Sequence, residues 1–279
     1  MVLMGGLFFV SVASILIRLS SADPLVIAAY RMGIASAIMV AATTLRNEWR
    51  PLRALGRKDV ALMVLAGISL GIHFATWISS LFYTSVAVSV IVVNSSPLIV
   101  LVLSLVLLDE GLSRKGSVGL VCALVGGAVI VLNEALVRLS LEGVTLAFCG
   151  AIGVASYLVI GRRVRRTVGT LPYVSIVYAI SFLFILPLPV AFGHSLSGYP
   201  LVDYVIFVLL AAGPSCLGHT AYNYALRYLP APTVSATIVA EPIGASILAW
   251  AVLGEVPTLL VISGGALVLL GIGLVLDVV

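Results

Sequence analysis

The sequence predicts an all-α integral membrane protein with ten transmembrane helices, arranged as two inverted five-helix repeats around a central cavity. Three observations carry that expectation: the composition, the number of separable apolar runs, and a pattern of polar, proline and glycine residues that returns in the second half. Of 279 residues, 62% are hydrophobic and only 9% charged, with a mean hydropathy of +1.25. A soluble domain carries roughly 25% charged residues.

A spanning helix needs about 20 apolar residues. Ten such runs can be drawn, at residues 2–20, 24–45, 59–81, 85–108, 116–133, 143–161, 171–192, 202–226, 231–253 and 257–276. They leave no room for a soluble domain. The first run resembles a signal peptide in length, but it lacks a basic leading segment and a convincing small-residue cleavage site, and it ends at Arg18. It is therefore counted as a span.

Lys and Arg in the connections set the expected orientation. Calling the N-terminal side A, the side-A connections hold Arg46, Arg50, Arg53, Arg57, Lys58, Arg114, Lys115, Arg162, Arg163, Arg165, Arg166 and Arg227, whereas side B holds Arg18 and Arg138. The positive-inside rule then places side A, with both termini, in the cytoplasm, and the protein in the cytoplasmic (inner) membrane. The net charge of +4 is thus a topological signal that also favours anionic lipid, and a nucleic-acid partner is not indicated. Cys122, Cys149 and Cys216 fall inside spans without close spacing, and His73, His194 and His219 form no metal-ligand pair. No cofactor or metal is expected, and the expected state is a monomer.

The halves repeat in order. "VASIL" at 12–16 returns as "VASYL" at 154–158, and "AGISLGIH" at 66–73 as "AGPSCLGH" at 212–219. Pro24 and Tyr30 return as Pro172 and Tyr178; Pro97, Glu110, Gly119 and Gly126 return as Pro242, Glu255, Gly264 and Gly271. Each match is weak alone, but the common order and the narrow range of offsets make the set strong. Five spans per half is an odd number, so the second half must enter the membrane from the other side. The expected units are residues 1–138 and 139–279. Inverted repeats of this kind build secondary transporters, with the site near the midplane between halves.

Five spans per half, Arg31 in the second span, and Glu241-Pro242 followed by Gly254-Glu255 give the chain a resemblance to the drug/metabolite transporter superfamily, and within it to the EamA-type exporters. The resemblance covers essentially the whole chain. It implies a ten-helix basket whose cavity is lined mainly by spans 1, 3, 4, 6, 8 and 9, with spans 5 and 10 packed outside, and an exporter of amino acids, aromatic and hydrophobic ones included. One departure is that Ser96 stands where the second half has Glu241, which makes any carboxylate-based coupling one-sided.

Within spans, Pro97 and Pro242 each remove a backbone hydrogen bond and free the carbonyl four residues earlier, on Val93 and Ile238. They read as kinks or hinges. A carboxylate as deep as Glu241 must face the interior, pair, or be protonated, which suits a structural bond, a coupling proton or a substrate amine. Arg31 lies eight residues beyond Asp23, too deep to snorkel easily; it reads as a structural charge, with a carboxylate-binding role as the alternative. His73 with Trp77, and His219 with Asn223, are four apart and share a helix face. Tyr157 and Tyr222 add aromatic hydroxyls, and Asn94, Ser95 and Thr237 lie beside the prolines. Together His73, Trp77, Asn94, Ser95, Tyr157, His219, Tyr222, Asn223, Thr237 and Glu241 are the expected substrate contacts, with Glu241 and His219 as candidate coupling groups. The competing readings are a proton-coupled exporter of cationic compounds, with Glu241 as the binding carboxylate, and an intramembrane enzyme. The second needs clustered ionisable groups, whereas the deep ones here are spread over spans 2, 3, 8 and 9.

Overall fold

A computed structural model describes residues 2–50, 52, 55–84, 86–132, 140–244, 247 and 258–276. Arg53, Arg138, Gly254 and Glu255 lie outside the described residues. Within them every regular element is helical. The first helices are α1 (Val2–Ser11), α2 (Ala13–Leu19), α3 (Pro24–Leu45) and α4 (Arg57–Tyr83). They are followed by α5 (Val86–Val93), α6 (Ser96–Leu108), α7 (Arg114–Leu132), α8 (Leu141–Arg165), α9 (Thr170–Ile185) and α10 (Pro187–Ala191). Then come α11 (Leu201–Leu210), a π-helical segment (Ala211–His219), α12 (Thr220–Ala225), α13 (Ala231–Ile238) and α14 (Leu259–Leu276). Among the described residues, seven continuous or composite helices are long and apolar enough to cross a membrane: Val2–Leu19, Pro24–Leu45, Arg57–Tyr83, Leu141–Arg165, Thr170–Ala191, Leu201–Ala225 and Leu259–Leu276. Of the other runs drawn from the sequence, 85–108 is divided into α5 and α6, 116–133 falls on α7, and 231–253 is described only in part.

Burial is inside-out relative to a soluble protein. Leu105, Val106, Leu107, Leu209 and Leu270 face outward, whereas Arg31, Arg165, Tyr157, Tyr173, Tyr178 and Tyr222 are among the largest fully buried side chains. In lipid an apolar exterior costs nothing, while a polar group must turn inward. Close approach then depends on small residues. A Cβ at Gly153 of α8 would lie 2.8 Å from the His73 nitrogen and the Ser69 oxygen of α4, which fixes α8 against α4. Gly67 and Gly71 of α4 likewise meet Ile180 and Phe184 of α9.

The seam between α7 and α14 is reciprocal. A Cβ at Gly126 would meet the Gly264 carbonyl oxygen at 2.6 Å, and one at Gly264 the Gly126 oxygen at 2.7 Å. Gly119 and Gly271 oppose each other's carbonyls in the same manner. The two contacts run in opposite order along the two helices, Gly119 against Gly271 and Gly126 against Gly264, so α7 and α14 pack antiparallel.

Two interruptions shape the interior. Between α5 and α6 the Ser95 N–H turns back to the Val92 carbonyl at 3.2 Å, and Pro97 opens the next helix. After α13 the Val239 and Ala240 N–H groups bond three residues back, to Ala236 and Thr237, before the helical turn at Glu241-Pro242. A proline cannot donate to the preceding turn, and in both helices the turn just before it tightens to bonds reaching three residues back. A third irregularity, absent from the sequence expectations, is the π segment around Pro214. π-Bulges widen a helix by one residue and re-aim its side chains.

At the end of the molecule bearing the basic connections, α6 stops at Asp109, whose φ of 55° is left-handed, and the Glu110 N–H closes on the Ser104 carbonyl at 3.1 Å. Glu110 is thereby turned onto α8. Arg162 Nε donates to its two oxygens at 2.9 and 3.1 Å, and Arg166 Nη2 bonds it at 2.5 Å. The same Arg162 donates through Nη1 to the Leu226 carbonyl at 2.8 Å and that of Arg227 at 3.1 Å. One carboxylate thus joins the end of α6 to α8, and through Arg162 to the chain beyond α12. Although partial burial pushes the Glu110 carboxyl up, the hydrogen bonds and charges of Arg162 and Arg166 outweigh it and hold the carboxyl below the usual carboxylate range.

Candidate binding cavity

The interruptions converge on a narrow interior cavity of about 30 Å³. It is bounded by α1 (Val10), α3 (Arg31), α4 (His73, Trp77), the α5–α6 break (Val93, Asn94, Ser96), α8 (Val154), the π segment and α12 (His219, Tyr222), and the α13 break (Ile238, Glu241). Both halves of the chain contribute.

His73, Trp77, Asn94, His219, Tyr222 and Glu241 are the expected contacts that line it. His73 Nδ1 donates to the Gly150 carbonyl at 2.9 Å, so its Nε2 is the free ring nitrogen, and its ring stacks on Trp77 with centroids 5.7 Å apart and planes 4° apart. His219 faces the pair: its ring centroid is 6.2 Å from His73 and 5.2 Å from Phe74. These rings form one aromatic wall.

Four expected contacts are directed elsewhere. The Ser95 hydroxyl donates to the Val92 carbonyl at 2.7 Å and the Thr237 hydroxyl to Val234 at 2.7 Å. Each bonds the backbone of its own broken helix, and Ser96 takes the lining position one residue on from Ser95. Asn223 donates to the His219 carbonyl at 2.7 Å and to the Tyr157 hydroxyl. Asn223 and Tyr157 therefore form a bridge between α12 and α8 behind the wall.

Arg31, read from the sequence as a structural charge, opens onto the cavity. Its Nε donates to Ser215 Oγ at 2.8 Å, and its guanidinium carbon sits 4.2 Å from the centre of the Phe74 ring. Ser215 is presented by the π segment, whose backbone carbonyl at Ser215 also accepts from the Tyr178 hydroxyl at 3.0 Å. Pro214 was the signal in the sequence for this contact: a proline inside an apolar run marks a place where the helix is remodelled. Both terminal nitrogens of Arg31 remain without a hydrogen-bond partner, as do Trp77 Nε1, Asn94 Nδ2, His219 Nδ1, the Tyr222 hydroxyl and Glu241 Oε1. Native proteins pair nearly all buried polar atoms. Seven unpartnered ones gather around this one cavity.

An apolar-coated helical bundle that gathers unsatisfied polar groups around an interior cavity is built as a membrane carrier. The chain belongs to the EamA-like transporter family, whose profile matches residues 1–132 and 141–277. It is 25% identical over 256 residues to an "Uncharacterized transporter" of Archaeoglobus fulgidus, covering 91% of this chain and 88% of that one. It is 25% identical to the "Uncharacterized transporter YwfM" of Bacillus subtilis, covering 90% and 84%. A shorter stretch of 93 residues, 33% of this chain and 31% of the relative, is 33% identical to a "Probable terminal-alkyne amino-acid exporter" of Streptantibioticus cattleyicolor. Among solved structures, a protein with 19% sequence identity superposes with a TM-score of 0.82, covering 99% of this chain and 97% of the other. That likeness speaks to the fold.

Proposed function

We propose that the chain is a secondary transporter of the cytoplasmic membrane that exports amino acids, aromatic and hydrophobic ones included, by alternating access. The observation that carries this reading is the cavity itself. It sits where two broken helices, one from each half, meet, and unpartnered polar atoms from both halves surround it. Discontinuous helices around a polar site are how transporters bind cargo while letting two repeats rock against each other. The units would be residues 1–138 and 139–279, five spans each, with both termini and the basic connections in the cytoplasm. The reciprocal glycine seam and the matched breaks at residues 94–96 and 239–241 support the inverted relation. The His73–Trp77 wall supports aromatic cargo, and the likeness to the Streptantibioticus probable amino-acid exporter favours amino acids. The set of contacts best supported is His73, Trp77, Asn94, His219, Tyr222 and Glu241.

Counterflow in proteoliposomes tests this. Vesicles preloaded with one unlabelled neutral amino acid should accumulate labelled substrate from outside, and protein-free vesicles should not. Failure with every amino acid, using protein that is folded and monodisperse, would overturn the cargo assignment. Under the same conditions Glu241→Gln is expected to leave folding intact. It should abolish the response of transport to a pH gradient if Glu241 carries the coupling proton. An unchanged response would remove that role.

A further inference from the structure

We infer that Arg31 is the carboxylate receptor of this cavity and Glu241 its ammonium receptor, so that the site takes the backbone of an α-amino acid zwitterion. The inference rests on reading the cavity as the substrate site and goes further, because it specifies which end of the guest each charge holds.

Arg31 is fully buried, yet only one edge of its guanidinium is used. Nε is held by Ser215 and the plane lies against Phe74, while Nη1 and Nη2 have no partner. An arginine kept only to brace helices spends its fork on carbonyls or carboxylates, as Arg165 does. That residue donates to the Asn223 and Val168 carbonyls and to Thr170. The contrast between the two buried arginines is the central observation. Ser215 and Phe74 fix the orientation of Arg31 and leave its two terminal nitrogens as a planar pair of donors, which matches a carboxylate.

Glu241 supplies the opposite requirement. It lines the same cavity, is buried, and leaves Oε1 without a donor. Arg31 and Glu241 do not bond each other, although an ion pair would satisfy both. A guest must therefore bring an anionic group to one and a cationic donor to the other within the same cavity. A simple organic cation would leave the Arg31 fork unpaired beside a like charge, and a simple carboxylate would leave Glu241 beside a like charge. An α-amino acid carries both groups on one carbon. Its side chain is then left to the stacked His73 and Trp77 rings, with His219 and Tyr222 also lining the cavity. The arrangement discriminates against single-charge ligands because a buried polar group left unpaired costs far more than a lost contact.

The test is equilibrium binding to the purified, full-length protein with four probes: phenylalanine, its carboxylate-free counterpart phenethylamine, its amine-free counterpart 3-phenylpropionate, and phenylalanine amide. The wild type should bind phenylalanine and reject each single-charge probe by about 100-fold or more. Arg31→Lys keeps the charge but not the fork. It should weaken phenylalanine by about 10- to 100-fold while leaving the weak binding of phenethylamine unchanged. If that variant does not fold, Glu241→Gln provides the mirror image: phenylalanine weakens, and 3-phenylpropionate gains relative to it. Equal binding of phenylalanine and phenethylamine to the wild type would overturn the two-ended site while leaving amino-acid transport standing. So would an Arg31→Lys variant that loses all four probes equally. Binding of phenethylamine with no binding of any amino acid would overturn the transport reading as well.

Discussion

Gly271→Leu is expected to leave no monodisperse folded protein in detergent, and Gly271→Ala to lower the melting temperature clearly. The reason lies in what a side chain would strike. A Cβ at Gly271 collides with the Gly119 carbonyl oxygen and lies 2.5 Å from the Ala123 nitrogen and 2.9 Å from its Cα. All three are backbone atoms of α7, and a helix cannot move one of them alone. The two helices must separate, and every close contact along the seam, including that of Gly126 with Gly264, loosens with them. Water expulsion does not compensate inside a bilayer, where helix association rests on packing. Overpacking even a single methyl typically costs about 1–3 kcal/mol, and leucine adds a branched side chain with nowhere to go. Gly273→Leu is the control, because nothing lies within 4 Å of a Cβ there although the position is only two residues away. Size-exclusion profiles and thermal melting of the three variants decide the matter. Equal behaviour of Gly271→Leu and Gly273→Leu would mean that the seam does not hold α7 to α14.

That seam was legible in the sequence because glycine has only a few reasons to recur at a fixed interval among apolar residues. Gly119 and Gly126 returning as Gly264 and Gly271 pointed to close helix approach, and the contacts are there. The interruptions were legible for a related reason: a proline inside a spanning run has a fixed backbone consequence. Orientation at the breaks was not. Ser95 was expected in the cavity, yet Ser96 lines it, because neighbouring helical residues point about 100° apart and the tightened turn decides which one faces inward. Likewise the spacing of His219 and Asn223 places both on one face, but the Asn223 amide is taken up by a carbonyl of its own helix and by Tyr157. Arg31 shows the limit most clearly. Its depth in an apolar run requires a role, while the direction of its fork depends on Ser215, 184 residues away in a π segment. The partners of Glu110 were similarly hidden, since the guanidinium groups that hold it are 52 and 56 positions along the chain.

Glu110→Gln should open the basic face of the protein. In the structure that face is fastened by one carboxylate between Arg162 and Arg166, with Arg162 also bonded to two carbonyls at the end of the eighth span. Glu110 lies in the first of the two proposed units and both arginines in the second, so the proposed rocking motion would break these bonds wherever it parts the units at this end. Hydrogen bonds to charged groups contribute about 1.5–3 kcal/mol each; losing the equivalent of one shifts a two-state equilibrium by about 10- to 100-fold. The reporter is Ser96→Cys on the cavity wall, in a background lacking Cys122, Cys149 and Cys216, labelled by an impermeant maleimide applied from the basic side. Glu110→Gln should raise the labelling rate by about tenfold or more. Arg162→Lys can hold the carboxylate but cannot also reach both carbonyls, so it should fall between. Arg163→Gln, at an exposed neighbouring position, should change nothing. The pH dependence has a definite sign. Because Arg162 and Arg166 hold the Glu110 carboxyl below its ordinary range against the opposing effect of burial, the fastening is complete above that range. It is lost only as pH falls through the lowered value. Labelling should therefore stay flat between about pH 6 and 8 and rise in acid. A rate that does not change in Glu110→Gln would show that this contact does not hold the face closed. A rate that changes near neutrality in the wild type would assign control of opening to a different group.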